Sequence, residues 1–170
     1  MNETRDNPGV IAPPPLIALA TLLLGLALDW FSPSVILRGL FGFRTRLVVG
    51  AIFIAISATM AIVAVRSFRQ AGTNVEPWKP ALSLVTTGIF AWIRNPMYVS
   101  LVLLLAGIAI ALASDWMLVL LVLAALILHF GVVKREERYL EAKFGETYRQ
   151  YMSTVPRYGL PTIGNTSRPC

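Results

Sequence analysis

Charge is scarce in this 170-residue chain: 14% of its residues are Asp, Glu, Lys or Arg, where soluble domains carry about a quarter. That scarcity excludes an ordinary soluble domain. Cysteine is nearly absent, and the one present, Cys170, can form no intrachain disulfide and no cysteine-rich metal centre. With a single histidine, His129, beside it, no metal site is expected. Gly-x-Gly does not occur anywhere, which excludes the glycine-rich strand-to-helix turn that cradles nucleotides in Rossmann-like domains.

What the chain has instead is apolar residues in blocks, 56% of the total with a mean hydropathy of +0.66. Uncharged runs extend from Leu47 to Val65, from Met97 to Ser114 and from Trp116 to Val133. Each is long enough to cross the hydrocarbon layer, about 30 Å thick, as a helix. A fourth run, Leu16 to Leu28, is shorter, but prolines 13–15 are tolerated in a first helical turn and Trp30 and Phe31 suit an interface. The sequence therefore predicts an all-α membrane protein. Its single membrane domain has about four spans, near residues 14–31, 47–65, 96–114 and 116–133. A cleaved signal peptide is the competing reading of the first run, but Glu3 and Asp6 against Arg5 make no basic leader.

The excess of six positive charges belongs to loops flanking spans rather than to a nucleic-acid surface, so no nucleic acid is expected as a partner. Twelve Lys and Arg residues fall in the N-terminal tail, the loop from Arg66 to Pro96 and the segment after Val133, against three on the other side, Arg38, Arg44 and Arg46. This asymmetry predicts both termini in the cytoplasm, with Trp30 and Trp116 at the outer interface and Trp92 at the inner one. Ser114 and Asp115 alone separate the last two spans, which must form a tight antiparallel hairpin. The hairpin brings residues 66–96 and 134–158 to one cytoplasmic end.

Both segments carry chemistry. In the first, Gly72, Gly88 and two prolines oppose a helix until Asn95, a good N-cap, and Pro96, a good first helical residue, start the third span. Arg94 stands beside that positive helix end, where an anion could dock; a capped helix with a snorkelling arginine is the plainer reading. In the second, 100° per residue puts His129, Glu136, Leu140 and Phe144 on one stripe. A carboxylate on an apolar stripe must pair or line a cavity. Glu137 and Glu141 read as solvated surface, His129 as a hydrogen-bonded or ligand-contacting side chain, and Tyr148 and Tyr151 as interface anchors.

The run Thr87-Gly-Ile-Phe-Ala-Trp-Ile-Arg-Asn-Pro-Met-Tyr98, a two-span hairpin, Glu136-Glu-Arg-Tyr-Leu-Glu141 and Val155-Pro-Arg157 occur in that order. This arrangement, over residues 69–158, resembles the isoprenylcysteine carboxyl methyltransferase family and its phospholipid methyltransferase relatives. The resemblance implies that S-adenosylmethionine is bound between the two cytoplasmic segments and that a lipophilic substrate enters from the bilayer. It makes Arg94, Asn95, Pro96, Met97 and Tyr98 one wall of the cofactor pocket, and Glu136, Glu137 and Leu140, with His129, the other. Eukaryotic carboxyl methyltransferases carry histidine where this chain has Asn95. Asparagine is familiar in prokaryotic relatives, so the resemblance points to a prokaryotic cell (inner) membrane and not specifically to a prenylcysteine acceptor.

The residue types suit that cofactor. Arg94 with a helix N-terminus matches its carboxylate, Glu136 or Glu137 its ammonium or a hydroxyl, and Tyr98 offers a ring and a hydroxyl. Methyl transfer to a carboxylate needs no base; an amine or thiol acceptor would, with Glu136 or His129 as the candidate and Arg94 positioning the donor. The lipophilic acceptor and membrane lipids are the expected partners, with no obligate protein partner. Two readings of other kinds stand beside this one. A four-span exporter would place an acid at mid-membrane, and none stands at that depth in these spans. A nicotinamide-dependent reductase of the sterol-reductase kind resembles the same C-terminal region but usually has more spans.

Overall fold

A computed structural model describes residues 6–159; Arg5, Arg168 and Cys170, which entered the charge and cysteine arguments, lie outside them. Every regular element among the described residues is helical. Helix α1 (Pro14–Phe31) begins on its proline as the sequence predicts, because a proline at the first turn has no amide N–H to leave unpaired. A short helix not anticipated from the sequence, α2 (Ile36–Leu40), follows. It is held by Asp115, whose carboxylate accepts the amides of Ile36 at 2.8 Å and Leu37 at 3.0 Å, a negative group placed at a positive helix end.

Helix α3 (Phe43–Gln70) runs 28 residues, well past the uncharged core of 47–65. Helix α4 (Pro96–Leu112) starts at the expected proline and ends at Ala113, whose left-handed backbone (φ 53°) turns the chain. Ser114 then accepts the amide of Met117 at 3.1 Å and opens α5 (Asp115–Leu128). The tight hairpin is present. A π-helical turn, His129–Val133, links α5 to α6 (Lys134–Phe144), and Gly145 (φ 57°) bends the chain into α7 (Glu146–Thr154). Three helical stretches, Pro14–Phe31, Phe43–Gln70 and Asp115–Phe144, are long and apolar enough to span a membrane. The 17-residue α4 is a shorter apolar helix packed among them. The protein is an all-α membrane protein.

Packing inverts the soluble pattern. Helices α1 and α3 bury Thr21, Gly25, Gly50, Ser57 and Ala64 and turn Leu23, Ile52 and Ile56 outward. Small residues let backbones approach where lipid rewards no apolar burial. The closest approach joins α3 to α4: a Cβ on Gly107 would lie 2.8 Å from the Gly50 carbonyl oxygen, and one on Gly50 2.7 Å from the Gly107 carbonyl. Ser57 ties the same pair by donating to the Ser100 carbonyl at 2.6 Å. On the other side α1 packs against α5. The result brings the start of α4, the end of α5 and all of α6 and α7 to one end of the bundle.

Candidate active site

Two stretches distant in sequence build this end. Residues 71–95 form an irregular loop with one 3-10 turn, Gly88–Ala91, as the glycines and prolines predict. Helices α6 and α7 fold across it, and the amide of Arg94 donates to the Pro156 carbonyl at 3.0 Å, joining the strand of chain before α4 to the one after α7.

Glu137 is the hub. Its side chain is 8% exposed, and Arg157 grips it with Nε at 2.9 and 3.0 Å and Nη2 at 2.6 Å. Arg94, 10% exposed, brings Nη1 to 3.0 Å from the same carboxylate. That contact is an ion pair without hydrogen-bond alignment, and the buried Arg94 Nε finds no acceptor among the described residues. Two guanidinium groups thus share one carboxylate, so Glu137 alone does not neutralise them. Reading Glu137 as solvated surface is therefore incorrect: its partners, 43 and 20 residues away in sequence, gave no local signal.

Glu136, its neighbour, points instead into a cavity of about 350 Å³ and accepts the Tyr98 hydroxyl at 2.6 Å. Arg94, Asn95, Pro96, Met97 and Tyr98 line this cavity on one side, and Glu136, Glu137 and Leu140 on another. His129 does not line it. Its Nδ1 lies 2.6 Å from the Tyr158 hydroxyl, and the π-helical turn is the reason. An i→i+5 turn inserts one residue relative to α-helical register, so the face in line with His129 passes from Glu136 to Glu137. Accordingly His129 and Glu137 bind consecutive residues, Tyr158 and Arg157. The single stripe of His129 with Glu136 does not exist.

Asn95 occupies the N-cap position of α4, but its side chain makes no capping bond. Its Nδ2 instead reaches toward Glu137 Oε1 at 3.5 Å and the Arg157 carbonyl at 3.4 Å. The first turn of α4 is left without a side-chain cap, facing the cavity its own residues line. Tyr148 and Tyr151, expected at the interface, are buried and also line the cavity. Tyr151 donates to the Phe90 carbonyl at 2.6 Å. Burial pushes both phenols well above their ordinary range, with Glu137 adding to the effect at Tyr148, so both remain protonated donors. The spacing of Leu140, Phe144, Tyr148 and Tyr151, near four residues each, is the signal that could have placed them together. They pack as one cluster with Leu84 and Val155.

Away from these polar groups the cavity runs along Ser57 and Ala61 of α3 and Leu101 and Leu104 of α4. One end is thus charged and the other has the character of the bilayer. Trp78, Lys79 and Ala81 of the loop, Tyr139 of α6, and Pro8, Pro14 and Pro15 also line the cavity.

Comparison with known proteins finds relatives by sequence. The chain is 35% identical over 80 residues to a protein-S-isoprenylcysteine O-methyltransferase of Schizosaccharomyces pombe, covering 47% of this chain and 34% of that protein. To the protein of the same name in Xenopus laevis it is 36% identical over 81 residues, 48% of this chain and 28% of that one. The matched stretch is thus about a third of these relatives. An uncharacterized protein of Haemophilus influenzae is 36% identical over 62 residues, 36% of this chain and 98% of its own length. No solved structure matches. The sequence model of the phospholipid methyltransferase family matches residues 45–147, which include both sides of the cavity, and the chain belongs to that family.

Proposed function

We propose that this membrane protein transfers a methyl group from S-adenosylmethionine to a lipophilic acceptor at the cytoplasmic membrane face. One observation carries the reading: the Arg94–Tyr98 segment and the Glu136–Leu140 turn face each other across a cavity that is charged at one end and apolar at the other. At about 350 Å³ it lies in the range of small-molecule sites, about 300–1,000 Å³. The donor set fits the cofactor. Arg94, with an unmatched Nε and a counterion that it shares with Arg157, suits a carboxylate. Glu136 suits an ammonium or a ribose hydroxyl, and the Tyr98 and Tyr148 rings suit a flat base.

S-adenosylmethionine, when bound, supplies a methyl group on a positively charged sulfur. The chain's own part is to hold and to exclude. Glu137 fixes Arg94 and Arg157 in place, so the anion-binding guanidinium costs no rearrangement when its ligand arrives. Tyr98 orients Glu136 by its 2.6 Å hydrogen bond. The apolar surface of α3 and α4 admits an acyl or prenyl chain and keeps water from the point of displacement. An acceptor carboxylate is already ionised; for an amine, Glu136 is the group placed to take the proton. The two named relatives act on oxygen by their names, and the family description names phospholipids, which supports a lipophilic acceptor and, among a carboxylate, an amine and a thiol, favours an oxygen acceptor.

Titration calorimetry in detergent tests the reading. S-adenosylmethionine and its demethylated product should bind and NADPH should not; binding of NADPH with neither sulfur nucleotide would favour a reductase and overturn it.

A further inference from the structure

The N-terminal segment, residues 6–13, crosses the cavity end of the bundle and is fastened there at three points. Asp6 receives two bonds of 2.8 Å from Lys143 Nζ and one of 2.7 Å from the Tyr139 hydroxyl. The Gly9 carbonyl accepts Arg135 Nη1 at 2.8 Å. Ile11 donates its amide to the Gly131 carbonyl, in the π-helical turn, at 3.2 Å, and its side chain fills the space that a Cβ on Gly131 would need. Between these fastenings Pro8 forms part of the cavity wall.

The first fastening reaches further than the segment itself. Tyr139 lines the cavity, and its hydroxyl, while donating to Asp6, accepts the amide of Ala81 at 3.1 Å. Ala81 belongs to the loop that forms the opposite wall. The Tyr139 hydroxyl therefore joins three pieces: the Asp6 segment, α6 and the 71–95 loop. The ion pair that holds Asp6 beside it is between exposed groups, Asp6 with 58% and Lys143 with 27% of its side chain in solvent. Exposed ion pairs are weak and screened by salt, so this fastening opens readily, whereas Ile11, though 53% exposed, bonds the Gly131 carbonyl through its amide and seats its side chain against Gly131, a contact that salt does not screen.

We propose that residues 6–13 are a strap over the cavity, anchored by Ile11 on the π-helical turn and latched by Asp6 on Lys143 and Tyr139, and that release of the latch opens the site for ligand exchange. The latch and the loop open together through the shared Tyr139 hydroxyl. The role in exchange rests on the cofactor reading above; the covering role does not.

The test uses the full chain in detergent with Cys170→Ser and Ala81→Cys, so that N-ethylmaleimide reports access to the cavity wall without any cofactor. Asp6→Asn and Lys143→Met, neither of which lines the cavity, should each raise the labelling rate by up to about fivefold, the factor equivalent to about 1 kcal/mol. The melting temperature should stay unchanged. Raising the salt to 1 M, where screening acts within about 3 Å, should accelerate labelling of the latched protein and leave the two variants where they are. Without the Ala81 substitution, dissociation of S-adenosylhomocysteine should accelerate by the same factor in both variants. Labelling indifferent to both substitutions and to salt overturns the strap. Labelling that responds, in a protein that binds no sulfur nucleotide, upholds the strap and overturns the cofactor reading instead.

Discussion

Tyr98 and Glu136, 38 residues apart in sequence, meet at 2.6 Å across the cavity and connect the first turn of α4 to α6. Glu141, on the same helix, is half-buried, with 40% of its side chain in solvent, and stands 3.7 Å from the exposed Arg149. Losing a hydrogen bond to a charged group costs about 1.5–3 kcal/mol, whereas an exposed pair is worth about 0–1 kcal/mol. Glu136→Gln should therefore weaken cofactor binding or turnover about tenfold or more, and Glu141→Gln by less than about threefold. Transfer rate per folded protein checks both; equal losses would mean that Glu136 has no privileged place.

Glu137 carries a different burden, because Arg94 and Arg157 lose their counterion together if it is removed. Breaking a buried pair by deleting one partner costs about 3–5 kcal/mol. Glu137→Gln should lower the melting temperature in detergent markedly, while Glu76→Gln, whose partner Lys79 is a surface neighbour, should leave it nearly unchanged. A Glu137→Gln protein as stable as the parent would show that the two arginines need no hub.

Where α3 crosses α4 the chain has no room for a side chain at Gly107. Gly107→Val should destabilise by about 1–3 kcal/mol through overpacking. Gly39→Val, at a position where an added Cβ meets nothing, controls for the loss of glycine itself. Equal melting temperatures of the two variants would contradict the close crossing.

The distribution of Lys and Arg, twelve in the segments expected on one side against three in the segment expected on the other, predicts both termini in the cytoplasm. An impermeant thiol reagent should modify Cys170 in inside-out vesicles and not from outside intact cells. The reverse pattern would place the cavity on the outer face.

The apolar helices were legible because uncharged runs of about 18 residues have few other uses, and the start of α4 because Asn95-Pro96 ends a glycine- and proline-rich loop. The Arg94–Tyr98 segment and Glu136 were legible as neighbours at one end of the bundle, where they line one cavity, because a two-residue turn at Ser114 leaves the hairpin no other geometry. The role of Glu137 was not, since Arg157, which grips it, lies beyond α7 and the π-helical turn shifts the register of α6. A π-helical turn at His129–Val133 leaves no mark in an apolar run, and it removed His129 from the stripe. Tyr148 and Tyr151 misled because tyrosine near a membrane surface commonly serves as an anchor; here Gly145 turns their helix back over the site. The latching of Asp6 to Lys143, 137 residues away, has no signature in sequence.

Methyl transfer from labelled S-adenosylmethionine into a total lipid extract, with the product identified by mass, tests the central claim most directly. The protein should move label into a lipid-soluble product one methyl group heavier than its parent, and Glu136→Gln should reduce that incorporation about tenfold or more. A folded protein that binds the cofactor, is offered the whole extract in detergent or vesicles and leaves the lipid fraction unlabelled would contradict it.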